Sequence, residues 1–217
     1  LLSSAIKKYA DLFGVACGEK NILFTNNDSA YETAISLIQK GIKVQAIIDN
    51  REEVDSKLIK DTEKNYIKIY KGYTIVDTFG YKRINSVSIM KLSKDGQKVI
   101  GSKENISCDS LGISGGWTPA VHLFTQSGGK LKFRDDDQVF IPNTYPSNQI
   151  SIGSCNGDFT LDEILINAPK LLKEFLNIKK TEYENIEIYS EFNKSKRNIW
   201  LLPSNKIVGK TKSFVDF

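Results

Sequence analysis

The chain has 217 residues, 40% hydrophobic and 26% charged, with 30 Lys and Arg against 26 Asp and Glu for a net charge of +4. Those proportions describe an ordinary globular chain of one or two domains, and no apolar run approaches the ~20 residues that cross a bilayer. The lysines are scattered with acids between them, which favours solubility and argues against a nucleic-acid surface. No charged-then-apolar leader opens the chain, so a soluble, cytoplasmic protein is expected. Leu1 is not a methionine, and the chain reads as a piece of something longer.

In "SSAIKKYADLFG", Ile6, Tyr9, Ala10 and Phe13 fall at helical spacing, with Ser3 or Ser4 able to cap and Gly14 able to stop the helix. A strand, Ile22 to Phe24, follows. Next comes a helix with Ala30, Ala34, Ile35, Leu37 and Ile38 buried, ended by Gly41, and then a second strand, Val44 to Ile48, closing on Asp49. Strand, helix and strand in so short a span make a βαβ unit with parallel pairing. After Arg51, "YIKIY", "YTIVDT" and "NSVSIMKL" alternate with period two and "SKDG" supplies a hairpin turn, so this stretch reads as antiparallel ribbon. "ISCDSLGISGGWTP" then returns to a buried strand that ends at a loop.

From Thr160 the pattern is helical again. Leu161, Ile164, Leu165, Ala168, Leu172 and Phe175 form one stripe, Thr160 and Glu163 have capping-box spacing, and Pro169 is expected to kink or split the helix. From Lys179 onward a charged and then extended tail reads as a linker with strand segments. The boundaries that follow are a lead-in helix and linker (1–19), an inner nucleotide-binding-like domain (20–126), the closing half of an outer dinucleotide-binding domain (127–178) and a linker (179–217). The fold class is α/β: a Rossmann-like βαβ with an antiparallel β-meander insert.

"ILFTNNDSAYETA", Ile22 to Ala34, sits where a nucleotide-binding fingerprint G-x-G-x-x-G/A belongs, with Thr25, Asn27 and Ala30 at the three glycine positions. Asp49, nineteen residues after Ala30, stands where an acid bonds a ribose hydroxyl. The register fits, but the chemistry opposes binding. Asn27 puts a side chain on the phosphate approach, and Asp28 brings negative charge to the helix N-terminus. Asn tolerates a left-handed backbone, so the turn itself survives. Glu32, three residues after Ser29, has capping-box spacing there.

Cys17, Cys108 and Cys155 are far apart, odd in number and without C-x-x-C spacing, which leaves a disulfide framework, a redox pair and a cysteine-rich zinc site unsupported. His122 is the single histidine and reads as a polar residue on the first turn of a helix after Pro119. No carboxylate pair, Ser-His-Asp arrangement or metal cluster can be assembled, so no catalytic residue is assigned.

"SGGWTPA" resembles the A-T-G-x-x-P-N segment of flavoprotein reductases, and "IGSCNGDFTL" their closing A-x-G-D segment. The longer strings "FTNNDSAY", "CDSLGISGGWTPAVHLFTQSGGKLKF" and "GSCNGDFTL" resemble the α subunit of the heterotetrameric sarcosine oxidases, and "FVDF" resembles the segment before that subunit's next domain. This resemblance implies an internal fragment of a longer subunit of FAD/NAD(P)-binding, nested-domain type. It implies an assembly with a β subunit that oxidises sarcosine at a flavin, with FMN between the subunits and tetrahydrofolate bound elsewhere on α. It also implies NAD as a bound, non-catalytic ligand of the outer domain, whose returning wall would comprise Ser154, Asn156, Gly157, Asp158, Phe159 and Leu161. Asp158 and Pro169 depart from the usual pattern there. Two alternatives remain: the α subunit of a proline or opine dehydrogenase, which more often keeps cysteines for an iron-sulfur centre, and a ligand-free scaffold or interaction module.

Overall fold

The computed structural model describes residues 1–146, 148–178 and 202–203. The chain divides into two compact units, Leu1–Gly116 with Asn193–Phe217, and Trp117–Phe192. The tail expected to act as a linker with strand segments lies outside the described residues, apart from 202 and 203.

In the first unit the order is α1 (Ser3–Phe13), β1 (Asn21–Thr25), α2 (Ser29–Gln39), β2 (Val44–Asp49), α3 (Lys57–Lys64), β3 (Lys68–Lys71), β4 (Tyr73–Gly80), β5 (Ile84–Leu92), β6 (Val99–Ser107) and β7 (Ser110–Ser114). A four-stranded parallel sheet runs β3-β2-β1-β7, and a three-stranded antiparallel sheet runs β4-β5-β6. Successive side chains of a strand point to opposite faces, and both faces here are covered. Leu23 and Ile47 face one way, into a core built with Ile6, Ala34, Leu37 and Ile59 of the helices. Ile22, Phe24, Ala46 and Ile48 face the other way, onto Val87 and Ile89 of the antiparallel sheet. This is why β1 and β2 read as continuous apolar runs. The parallel βαβ with a β-meander insert is therefore present as the sequence implies.

Three local expectations change. "YIKIY" is not antiparallel ribbon: β3 pairs with β2 in parallel, Ile69 beside Ile47 and Tyr70 beside Ile48. The crossover that makes this possible is α3, a helix missed in the sequence, whose Ser56 cap accepts a hydrogen bond from the Ile59 amide (3.4 Å). Its stripe is short and half charged, so burial of Ile59 and Thr62 by the rest of the unit decides it. Neither Ser3 nor Ser4 caps α1. Leu2 holds the N-cap position because it is extended, bridging to Ile113 of β7, and the helix begins as the chain leaves the sheet. α1 lies so close to the sheet that a Cβ on Gly112 would sit 2.7 Å from Leu23 and 2.9 Å from Ile6.

The second unit carries α4 (His122–Gln126), a hairpin β8–β9 (Lys130–Arg134, Val139–Thr144), a 3-10 turn (Gly153–Asn156) and α5 (Leu161–Phe175). α5 begins with both bonds of the capping box between Thr160 and Glu163. It then runs as one helix through Pro169, so of the expected kink or split the split does not occur. Proline removes one backbone donor, and the bonded first turn on one side and the following turns on the other keep the helix in register. None of its residues is buried, and Leu161, Leu165, Leu172 and Phe175 are all exposed.

Candidate functional site

In open α/β sheets ligands bind outside the carboxyl ends of the parallel strands. Here that crevice lies between the Asn26–Asp28 turn after β1 and the Asn50–Arg51 turn after β2, and the protein's own side chains fill it. Asn27 is buried. Its amide donates to Asn26 Oδ1 (2.8 Å) and to the Ser114 carbonyl (3.1 Å). Its Oδ1 accepts from the Ser29 amide (3.0 Å), Ser29 Oγ (2.7 Å) and Ser114 Oγ (3.1 Å). Thr25 Oγ1 donates to the Asn27 carbonyl and accepts from the Asn27 amide. Asn27 has no left-handed backbone, so it is kept for its side chain and not for the turn's φ. The expected capping box of Ser29 and Glu32 is absent: α2 has Asp28 at its N-cap with no side-chain cap bond, and Glu32 pairs with Lys7 (2.5 Å).

Next to this knot lies an ionic cluster. Arg51 Nη2 donates to Asp28 Oδ1 and to Asp49 Oδ2 (2.8 Å each), and Arg51 Nε donates to Asp49 Oδ1 (3.1 Å). The Arg51 amide and the Tyr31 hydroxyl also bind Asp49, at 2.9 and 2.8 Å. The Asp28 and Asp49 side chains are 0% exposed and that of Arg51 12%. Burial would lower the Arg51 pKa, but the bonds and charge of Asp49, then Asp28, hold it above its ordinary value. Burial and then Asp49 raise the Tyr31 phenol. Asp49, the ribose-binding position in the sequence reading, has both oxygens engaged by this cluster. Two carboxylates against one guanidinium leave a formal charge of −1 in the place where a pyrophosphate would have to lie.

The other expected site residues belong to the second unit, and the structure separates them. Ser154, Phe159 and Leu161 line an open pocket of about 530 Å³ together with Trp117 and Thr118. Asn156, Gly157 and Asp158 do not line it. Asn156 Oδ1 accepts from the Tyr145 hydroxyl (3.3 Å). Gly157 has φ 86°, and its carbonyl accepts from Arg134 Nη2 (2.9 Å). A Cβ there would meet Arg134 Nη2 and Ile141 Cγ2, both at 2.9 Å. Gly157 is thus required by the protein's own packing. Asp158 is buried: one oxygen accepts from Asn167 Nδ2 (2.9 Å), and Oδ2 has no hydrogen-bond partner.

No family model matches the chain. Among curated proteins it is 29% identical over 161 residues to sarcosine oxidase subunit alpha of Corynebacterium sp. (strain P-1), covering 73% of this chain and 16% of the relative. It is 25% identical over 222 residues to the protein of the same name from Rhizobium meliloti (strain 1021), covering 100% of this chain and 21% of that one. The chain resembles an internal stretch of sarcosine oxidase α subunits. It spans between 16% and 21% of the length of these relatives. Solved structures agree on the fold. T. acidophilum thioredoxin reductase aligns over 81% of this chain and 56% of its own with a TM-score of 0.50 at 12% identity. The HOCl-induced flavoprotein disulfide reductase RclA from Escherichia coli, as its Cu(II) complex, aligns over 74% and 36% with a TM-score of 0.52 at 14% identity. The fold is that of the FAD/NAD(P)-binding reductases.

The remaining reactive side chains have ordinary settings. His122 opens α4, as its sequence position implies. Cys108 is buried, and burial, with the Asp109 charge, pushes its thiol up to about 11, which makes it a poor nucleophile. All three cysteines are free, and no group of three or more His, Cys, Asp or Glu able to hold a metal occurs among the described residues. No helix among the described residues is long and apolar enough to cross a membrane. Sequence reasoning missed Arg51 and Tyr31. The signal available was an arginine two residues after the strand-closing acid, and a tyrosine one turn into the helix beside it.

Proposed function

We propose that this chain is an internal part of the α subunit of a cytoplasmic sarcosine oxidase. The whole complex would oxidatively demethylate sarcosine to glycine, form hydrogen peroxide and pass the one-carbon unit to tetrahydrofolate. In this reading FAD, FMN and tetrahydrofolate are bound elsewhere in the assembly and the β subunit is the main partner. Residues 20–126 are a nucleotide-domain-like insert with no ligand of its own, 127–178 close the outer domain, and 179–217 lead to the next domain. This segment is structural and lends part of the wall of a bound-NAD site.

The similarity to sarcosine oxidase α subunits along the chain supports the assignment to that enzyme. The observation that carries the NAD site is the open pocket of about 530 Å³ that Ser154, Phe159 and Leu161 line together, a size usual for small-molecule sites. Asp158 would stand behind that wall, one oxygen held by Asn167. Ser154, Phe159 and Leu161 would line the ligand's path, while Asn156 and Gly157 would hold the turn behind it. NAD would serve there as a held ligand, and the chain's contribution is to bind and orient it.

The test is NAD released on denaturing the purified assembly. Ser154→Phe fills the pocket from an exposed position and should deplete NAD severalfold while leaving the β-subunit flavin in place. Unchanged NAD in a correctly assembled Ser154→Phe protein would remove this segment from the site.

A further inference from the structure

The pocket of the second unit has a chemistry that chooses among the parts of a dinucleotide. Trp117, Phe159 and Leu161 supply apolar wall, Thr118, Ser154 and Thr160 supply hydroxyls, and none of the residues lining it is charged. The N-terminus of α5 opens beside it, the usual seat for a phosphate. A carboxylate already stands beside that seat. The Phe159 and Thr160 amides donate to Glu163 Oε2 (3.0 and 3.2 Å), and the Glu163 amide donates to Thr160 Oγ1 (3.4 Å). Arg134, a cation of the same unit, is bound to the Asp137 carboxylate and the Gly157 carbonyl. A phosphate at the start of α5 would meet the fixed Glu163 carboxylate, and the Arg134 guanidinium is already engaged. A neutral planar ring would meet an indole that is 53% exposed and a second aromatic wall.

We propose that this pocket receives the uncharged nucleoside end of the ligand, base and ribose, with the base stacked on Trp117, and that the pyrophosphate leaves the pocket away from the α5 N-terminus. The proposal rests on the NAD reading above and adds Trp117 as the residue that selects a planar base. The volume of about 530 Å³ suits such a group and falls within the usual ~300–1,000 Å³ of small-molecule sites. Base–aromatic stacking is sequence-tolerant and its loss weakens binding by about tenfold or more. The hydroxyls of Thr118 and Ser154 can both donate and accept, which suits the edge of a base or a ribose better than an anion.

The test uses the purified assembly containing the full-length subunit. Trp117→Ala should lower NAD retained after dialysis at least tenfold, and Trp117→Phe, which keeps a stacking face, should restore most of it. Adenosine should quench the tryptophan fluorescence of the wild-type assembly by an amount that the Trp117→Phe assembly does not show, and inorganic pyrophosphate should give no such difference between the two. Quenching by pyrophosphate and not by adenosine overturns the proposal. If Trp117→Ala retains NAD as well as wild type while Ser154→Phe loses it, the stacking role falls and the NAD site stands. If both variants retain NAD, the site itself is elsewhere. Should Trp117→Ala fail to assemble, the Trp117→Phe protein and the fluorescence titration still decide the question.

Discussion

Replacing Asn27 by alanine removes the side chain that ties the turn after β1 to the start of α2 and to the end of β7. Five hydrogen bonds disappear, three on Oδ1 and two on Nδ2. Not all of their partners are orphaned. The Ser114 carbonyl keeps the Asn26 amide (3.3 Å), and Ser29 Oγ and Ser114 Oγ keep each other (2.7 Å). The Ser29 amide loses its bond to Asn27, and Asn26 Oδ1 gives up one bond, in a region where Asn26, Asn27 and Asp28 are all buried. At roughly 1–3 kcal/mol for the buried Ser29 amide left unsatisfied, and about 1 kcal/mol for the bond taken from Asn26, a loss of about 3 kcal/mol follows, a large fraction of the ~5–15 kcal/mol typical of a folded domain. Urea unfolding followed by circular dichroism measures it, and the matching melting shift is roughly 6–12 °C for a chain of this size. Asn27→Gly should lose at least as much, so a glycine restored to the fingerprint position does not return a working turn here. A change below about 0.5 kcal/mol would refute the reasoning, because the backbone alone would then hold the turn.

Arg51→Met leaves Asp28 and Asp49 buried without their counter-ion and should destabilise the chain by about 3–5 kcal/mol, read from the same urea curves; a neutral result would mean that the cluster carries no strength. Isothermal titration with NAD at millimolar concentration should give no heat attributable to the crevice of the first unit, and a saturable signal abolished by Asp49→Ala would show that it is open. Gly157→Val places a Cβ against Arg134 and Ile141 at a left-handed φ, so it should destabilise the second unit by roughly 2 kcal/mol or more in the absence of any nucleotide; full stability would show that the turn has room to relax. The Asp109 carboxylate is buried enough to be raised, but the Lys20 and Glu19 amides, at 2.7 and 2.9 Å, outweigh this and hold it below the usual range. A lowered carboxylate contributes stability above its unfolded pKa and loses it as pH falls through the folded one. Asp109→Asn should therefore be less stable than wild type at pH 7, with the gap closing below the usual carboxylate range; a gap that persists at pH 2 would assign the effect to something other than charge.

Local pattern was enough for β1, α2, β2, the Ser93–Gly96 turn and the Thr160–Glu163 capping box, because each is decided by residues a few positions apart. The sequence strings that resemble sarcosine oxidase α subunits likewise carried the relationship before any geometry. Tertiary structure decided the rest. β3 is parallel because α3 carries the chain across the sheet, and α3 forms because the unit buries Ile59 and Thr62. α1 starts after Leu2 because Ile113, far along the chain, bridges to that residue while it is extended. The crevice is closed by Arg51 joining Asp28 to Asp49 and by Asn27 reaching Ser114. The bonds to Asp28 and Ser114 link positions remote in sequence, where no spacing rule applies. Their strength comes from burial, which raises the penalty of an unpaired polar group and exists only once the sheet and helices have come together.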